Sequence, residues 1–357
     1  MAFEDKIITG DRYLARLVCG GEHAFELEID GSVRLAFGRV TLGGFSEVNA
    51  LPSKMRLHES LDGLSGSFEG EGVIPFGCEY LVKRQMNILS AGIGTMTVDL
   101  SAVNHGVVGN VELEDVLLPG TWEKLEFLVF GEEDFRTVTG EAVSGELYHG
   151  SEPVIMLRGT SSDGIRVEYA CGSDIWRHRA AKRTPGGTGE FILSADGSGV
   201  TLKRAIIRFA EDAIIEKRPW RFKSLFSWST AKPGELPATQ EIAALNAGAN
   251  AQCVSCGRTG GKGVCLCSAP ARKLFKDLVR KTSDDIVLDG GVSGICFNAA
   301  HQDRPGKGEL EHWDLGDWVD FYLWANRQLL RQEKHFRMKA EKDSLLADSV
   351  TVENFMR

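Results

Sequence analysis

Near its C-terminus the chain reads Asp284-Asp285-Ile286-Val287-Leu288-Asp289-Gly290-Gly291, then Cys296-Phe297-Asn298, then His301-Gln302-Asp303-Arg304-Pro305-Gly306-Lys307. A short apolar run that ends abruptly in Asp-Gly-Gly predicts a buried strand presenting the Asp289 carboxylate at the mouth of an α/β sheet. Active sites in parallel α/β folds gather at that carboxyl end of the strands. Cys296, His301, Asp303 and Arg304 follow in a polar stretch that offers the donors and acceptors a sugar-sized ligand needs. Each has a plainer reading beside it. Asp-Gly is a common turn pair, so Asp289 could simply end a strand, and His301 could be a solvated loop residue.

Just upstream, Cys253-Val254-Ser255-Cys256 and Cys265-Leu266-Cys267 give the pattern C-x2-C-x8-C-x-C. Four thiolates this close, with Gly257, Gly260, Gly261 and Gly263 between the pairs, could fold a tetrahedral structural zinc knuckle. Glycine permits the tight backbone that such a loop requires. The alternative is four buried free thiols. No other cofactor is required by the sequence.

The elements that must position these groups fall into two kinds. Residues 22 to about 229 are dominated by strand-like runs, many with period-two alternation, separated by Gly, Asn and Asp turns. Glu22 to Asp30 and Ser32 to Leu42 read as two strands around an Asp30-Gly31 turn. Met96–Leu100, Val111–Leu118, Lys124–Phe130 and Ile165–Tyr169 read as further strands, and Glu190 to Phe209 as a hairpin turning at Asp196-Gly197-Ser198-Gly199. Val154-Ile155-Met156-Leu157 reads as a strand buried on both faces. So many strands with few helical stretches predict a large antiparallel β-supersandwich over 1–229. Residues 230–252 are a linker with an Ala-rich stretch, and 253–357 an α/β segment. In that segment a helix is predicted after Pro270, then the Ile286 strand, then a long amphipathic helix from Leu315 to about Leu346.

This layout resembles alpha-galactosidase-like (melibiase-type) retaining glycoside hydrolases, in which a β-supersandwich precedes a (β/α)8 barrel. Gly172-Ser173-Asp174-Ile175-Trp176-Arg177, Arg218-Pro219-Trp220-Arg221-Phe222, and Val287-Leu288-Asp289-Gly290 carry the resemblance. It implies hydrolysis of an α-linked glycoside with retention, Asp289 being the nucleophile and a second carboxylic acid the proton donor, about 5 Å away. It also implies that Cys296, His301, Asp303 and Arg304 hold sugar hydroxyls and that Trp176 reaches over the mouth, unless Trp176 only shapes a turn. The position two residues before the nucleophile, commonly Lys in the family, is Val287 here. A barrel takes about 250 residues. Only 128 of the 357 residues follow Ser229, too few for eight βα units, so the resemblance implies an incomplete barrel, either in a fragmentary or degenerate relative or in one that a partner chain completes. A non-catalytic carbohydrate-binding or assembly subunit is the reading from another class.

Composition bounds the partners. The formal net charge of −9 disfavours a nucleic-acid backbone, which binds through Lys and Arg neutralising phosphates. No run approaches the ~18 apolar residues of a membrane-spanning helix. The acidic start Met1-Ala2-Phe3-Glu4-Asp5-Lys6 lacks the basic-then-apolar pattern of a secretion signal, and the eight cysteines do not space like a disulfide framework. A cytoplasmic location with reduced thiols is expected. An unfinished barrel leaves sheet edge and apolar helix surface exposed, which is compatible with a homo-oligomer.

Overall fold

Period-two alternation becomes strands through most of the described residues before 230. The computed structural model describes residues 5–10, 12–18, 20–49, 56–59, 65–76, 78–89, 93–102, 106–130, 132, 134–171, 188–208, 213–215, 220–229, 269–282, 286–291, 295–296, 312–313, 321, 324–325, 328–329, 332 and 336–340. Two compact units divide the chain: Met1–Ser90 with Gly94–Cys171 and Arg177–Thr230 in one, Ala91–Ile93 with Gly172–Trp176 and Ala231–Arg357 in the other.

The first unit contains two large antiparallel sheets. In the first sheet Lys6–Thr9, Tyr13–Leu17, Phe25–Ile29, Ser32–Phe37, Val116–Pro119 and Gly199–Arg208 lie side by side. Val111–Glu112, Thr41–Leu42 and Phe45–Ser46 continue it, while Thr188–Asp196 and Gly145–Gly150 extend the other side of Gly199–Arg208. The second sheet runs Arg136–Thr139, Lys124–Val129, Val154–Thr160, Arg166–Cys171, Trp220–Ser229, Ile93–Ala102, Cys78–Leu89, Ser65–Phe76 and Val48–Asn49, with Arg56–Glu59 also on Ser65–Phe76. Tyr13–Leu17 and Phe25–Ile29 alternate buried and half-buried residues, as strands with one face on a core must. In Val154–Thr160 every residue but the last is buried, as the continuous apolar run predicts. Asp30 and Gly31 both take positive φ (51° and 78°), the geometry that a two-residue turn needs to match strand twist. Asp196 pairs with Gly199 at the tip of the second predicted hairpin.

Between the sheets an aromatic cluster fills the core. Phe25 and Phe37 of the first sheet meet Phe226 of the second at ring-centroid distances of 5.4 and 5.9 Å. Tyr13 meets Trp228 edge-on at 4.9 Å. Phe25, Phe37, Phe226 and Tyr169 are fully buried. Gly94 makes room for them, since a Cβ there would fall 2.2 Å from the Phe226 ring.

Two sequence expectations change on folding. The Val111–Leu118 run is not one strand: it breaks into Val111–Glu112 and Val116–Pro119, with Leu113, Glu114 and Asp115 bridging them. Leu113 N donates to Arg204 O and Gly38 N to Asp115 O, and these long-range bonds bend the chain out of the ladder.

In the second unit Ala269–Lys281 forms the helix α1, burying Phe275 and Val279. Phe275 packs on Phe321 at 5.5 Å, and Lys276 and Arg280 stand over the Trp324 ring. Residues 321, 324–325 and 328–329 are helical, which accords with the predicted apolar stripe. The predicted long helix nevertheless ends early: Phe336–Ala340 is a strand, paired in parallel with Ile286–Gly291. Phe336, Met338 and Ala340 alternate with Arg337 and Lys339, a period of two inside what reads as a basic helix face. Helical residues between two parallel strands make a βαβ-type connection. Among the described residues these two strands form no barrel.

Candidate functional site

The sequence points to Asp289 as the chemical group. The structure puts Asp289 in the Ile286–Gly291 strand, opposite Lys339, with a register irregularity between Asp289 and Gly291 at the strand's carboxyl end. Cys296 lies in a two-residue strand, Ile295–Cys296, opposite His312. His301, Asp303, Arg304, Trp176 and the four clustered cysteines, Cys253, Cys256, Cys265 and Cys267, lie outside the described residues. Among the described residues no group of three or more His, Cys, Asp and Glu side chains is arranged to hold a metal ion.

A second set of polar groups converges in the first unit. At residues 40–49 the chain leaves the first sheet (Thr41–Leu42, Phe45–Ser46) and joins the second (Val48–Asn49). The crossing residue, Glu47, is only 2% exposed. Beside this corner opens a hollow of about 600 Å³, whose lining includes Glu22, His23, Arg39, Glu47, Glu112 and Asp115. The volume falls in the range of small-molecule sites. Thr41 and Ser46, joined by a 3.1 Å hydroxyl contact, line it from the Thr41–Ser46 hairpin. Next to Ser46, Phe45 is 48% exposed.

The wall is built by charge pairing. Arg39 donates from Nε to Gly21 O (2.9 Å) and from Nη2 to His23 O (3.1 Å), which folds the 20–23 turn against the strand end. Its Nη1 lies 3.6 Å from Glu47 Oε1. Glu47 also accepts from Val40 N (3.0 Å) and from both Nη atoms of the buried Arg84, which reaches over from the second sheet. A buried carboxylate is tolerated only when paired and hydrogen-bonded, and Glu47 has both. His23 Nδ1 contacts Glu26 Oε1 at 3.0 Å.

The floor is the broken strand. Gly38 and Asp115 approach so closely that a Cβ on Gly38 would sit 3.2 Å from Asp115 N. Glu114 turns into the core, where Arg204 Nη2 lies 3.3 Å from its Oε2 and Arg204 Nη1 donates to the Tyr169 hydroxyl at 2.7 Å. Asp115 instead lines the hollow, half-buried. Among the described residues none donates a hydrogen bond to its carboxyl. Burial pushes the Asp115 pKa up, and Glu112 and Glu114 add to this, while Arg204 and Lys203 oppose it. A carboxyl lifted in this way and left facing a cavity marks a functional-site candidate.

None of these residues stood out in the sequence. Two signals were present: Glu112-Leu113-Glu114-Asp115 puts three acids into a run read as continuous strand, and Gly43-Gly44 marks a tight hairpin at the corner. The Arg39–Glu47–Arg84 chain has no local signature, because its members meet only across two sheets.

No protein-family model and no curated protein matches the sequence. Among solved structures, the chain is similar to the α-N-acetylgalactosaminidase NagBb from Bifidobacterium bifidum in complex with GalNAc, at 10% identity and TM-score 0.42, over 94% of this chain and 51% of that one. It is also similar to a galactose 1-epimerase from Lactobacillus acidophilus NCFM (7% identity, TM-score 0.38, 63% and 94% covered). A third, an aldose epimerase homologue from C. elegans, gives 10% identity and TM-score 0.37, with 64% and 99% covered. The similarity is structural and distant.

Proposed function

We propose that this chain is a carbohydrate-active protein that takes a saccharide in the hollow of its two-sheet unit. One observation carries the reading: a half-buried carboxyl, Asp115, faces a cavity of about 600 Å³ together with Glu22, His23 and Glu112. Saccharide recognition needs several fixed acceptors and donors around a ring-sized space, because every hydroxyl removed from water must be matched. Glu112 and Asp115 offer carboxylate oxygens, and Thr41 and Ser46 hydroxyls that both give and take. The ion-paired Arg39–Glu47–Arg84 chain braces the wall, which lowers the ordering cost of binding. The test is titration calorimetry with neutral hexoses. Saturable binding that is lost in Glu112→Ala/Asp115→Ala is expected, with circular dichroism confirming that the variant folds. A wild type that binds no saccharide ends the proposal.

The parallel pairing of Ile286–Gly291 with Phe336–Ala340 favours a second reading, retaining α-glycoside hydrolysis with Asp289 as nucleophile. Asp289 stands near the carboxyl end of a parallel strand, where such a group is wanted. The mechanism requires a second carboxyl about 5 Å away to protonate the leaving oxygen. Turnover of an aryl α-glycoside that disappears in Asp289→Asn supports hydrolysis. A wild type that turns over none supports a non-catalytic carbohydrate-binding subunit.

A further inference from the structure

The charges around the hollow do not balance, and their commitments decide which sugars fit. Four carboxylates line it, Glu22, Glu47, Glu112 and Asp115, against one guanidinium, Arg39. Arg39 is already spent on the Gly21 and His23 carbonyls and on Glu47. Arg84 compensates Glu47 from behind the wall, and Arg204 compensates Glu114 beneath the floor. Lys203, exposed on the neighbouring strand, acts on Asp115 from outside the lining. His23, the remaining basic side chain of the lining, is held by Glu26. An incoming carboxylate or phosphate therefore finds no uncommitted cation among the lining residues and meets an excess of negative charge.

We infer that the hollow selects neutral and amine-bearing saccharides and rejects acidic ones, with Asp115 as the principal discriminating residue. The inference rests on the saccharide reading above. Asp115 is chosen because it lines the hollow half-buried and no described residue donates a hydrogen bond to its carboxyl. The upward shift of its pKa comes first from burial, with Arg204 and Lys203 opposing it and Glu112 and Glu114 adding to it. A ligand ammonium placed against Asp115 would relieve the excess of negative charge in the lining, whereas a uronate would add to it. At the separations of a ring-sized ligand, a like-charge contact near a protein surface costs on the order of a tenfold loss in affinity or more.

The experiment compares galactose, galactosamine and galacturonate by titration calorimetry at neutral pH, in low and high salt, on the full chain. Galacturonate is expected to bind at least about tenfold more weakly than galactose, and galactosamine at least as tightly as galactose. The gap should narrow in high salt and in Asp115→Asn. Galacturonate binding as well as galactose or better overturns the selectivity while leaving the saccharide site standing. Absence of binding by all three overturns the site and the selectivity together. A selectivity unchanged in Asp115→Asn removes Asp115 from the role.

Discussion

The layer between the two sheets is built from opposite chemistries in two neighbouring places. One is aromatic: Phe25, Phe37, Phe226, Trp228 and Tyr13 touch ring to ring, and no charged group of the described residues lies among these rings. The other is ionic: Glu47 with Arg84, and Glu114 with Arg204, are each at most 5% exposed. Tyr169 joins them, its ring against Phe37 at 6.2 Å and its hydroxyl accepting from Arg204. Aromatic burial stabilises a fold outright, while a buried ion pair at best repays its own desolvation. The ionic part therefore earns its place by what it holds, the wall and floor of the hollow.

The largest effects should come from emptying either part. Phe226→Ala should cost about 3–5 kcal/mol in denaturant unfolding, from lost burial and the cavity left behind. Saccharide affinity should be unchanged well below the melting temperature. Arg84→Met should cost a similar amount, about 3–5 kcal/mol, because buried Glu47 loses the guanidinium that hydrogen-bonds both its oxygens and keeps only Arg39 at 3.6 Å. Here affinity should fall too, since the wall is anchored on that pair. Adding Glu47→Gln should restore part of the stability and little of the affinity. If Phe226→Ala and Arg84→Met affect binding equally, the division between core and wall is wrong.

A smaller effect is expected at the junction. Tyr169→Phe keeps the ring and removes the acceptor of an Arg204 bond, which should cost about 1–3 kcal/mol. Smallest, and opposite in sign, is Asp115→Asn. The folded-state pKa of Asp115 lies above its unfolded value, so the folded protein binds this proton more readily than the unfolded chain. The resulting penalty is absent at pH below the unfolded value, grows as pH rises through the folded one, and is complete above it. Asp115→Asn should thus melt slightly higher than wild type at neutral pH, the difference fading on acidification into the ordinary carboxylate range. Melting curves across that range decide it, and a variant less stable at neutral pH contradicts the assignment.

Much of the sheet architecture was legible because its cues are local. Asp30-Gly31 demands a tight turn, Asp196–Gly199 closes a hairpin, and Val154–Leu157 has no polar face to expose. The strand bearing Asp289 was legible for the same reason. The break at Leu113–Asp115 was not, since it is imposed by Gly38 and Arg204, both distant in sequence. Phe336–Ala340 was hidden because its alternating Arg337 and Lys339 continue a charged run that also fits a helix. The hollow has no local signature in the sequence because Arg39, Glu47, Arg84 and Asp115 come together only through the crossing of the chain from one sheet to the other.

A crystal of this protein soaked with galactose gives the most direct test of the central claim. The hexose is predicted in the hollow beside the Thr41–Ser46 hairpin, with a ring hydroxyl within hydrogen-bond distance of the Asp115 carboxyl. An occupied sugar anywhere else, with the hollow holding only solvent, would contradict it.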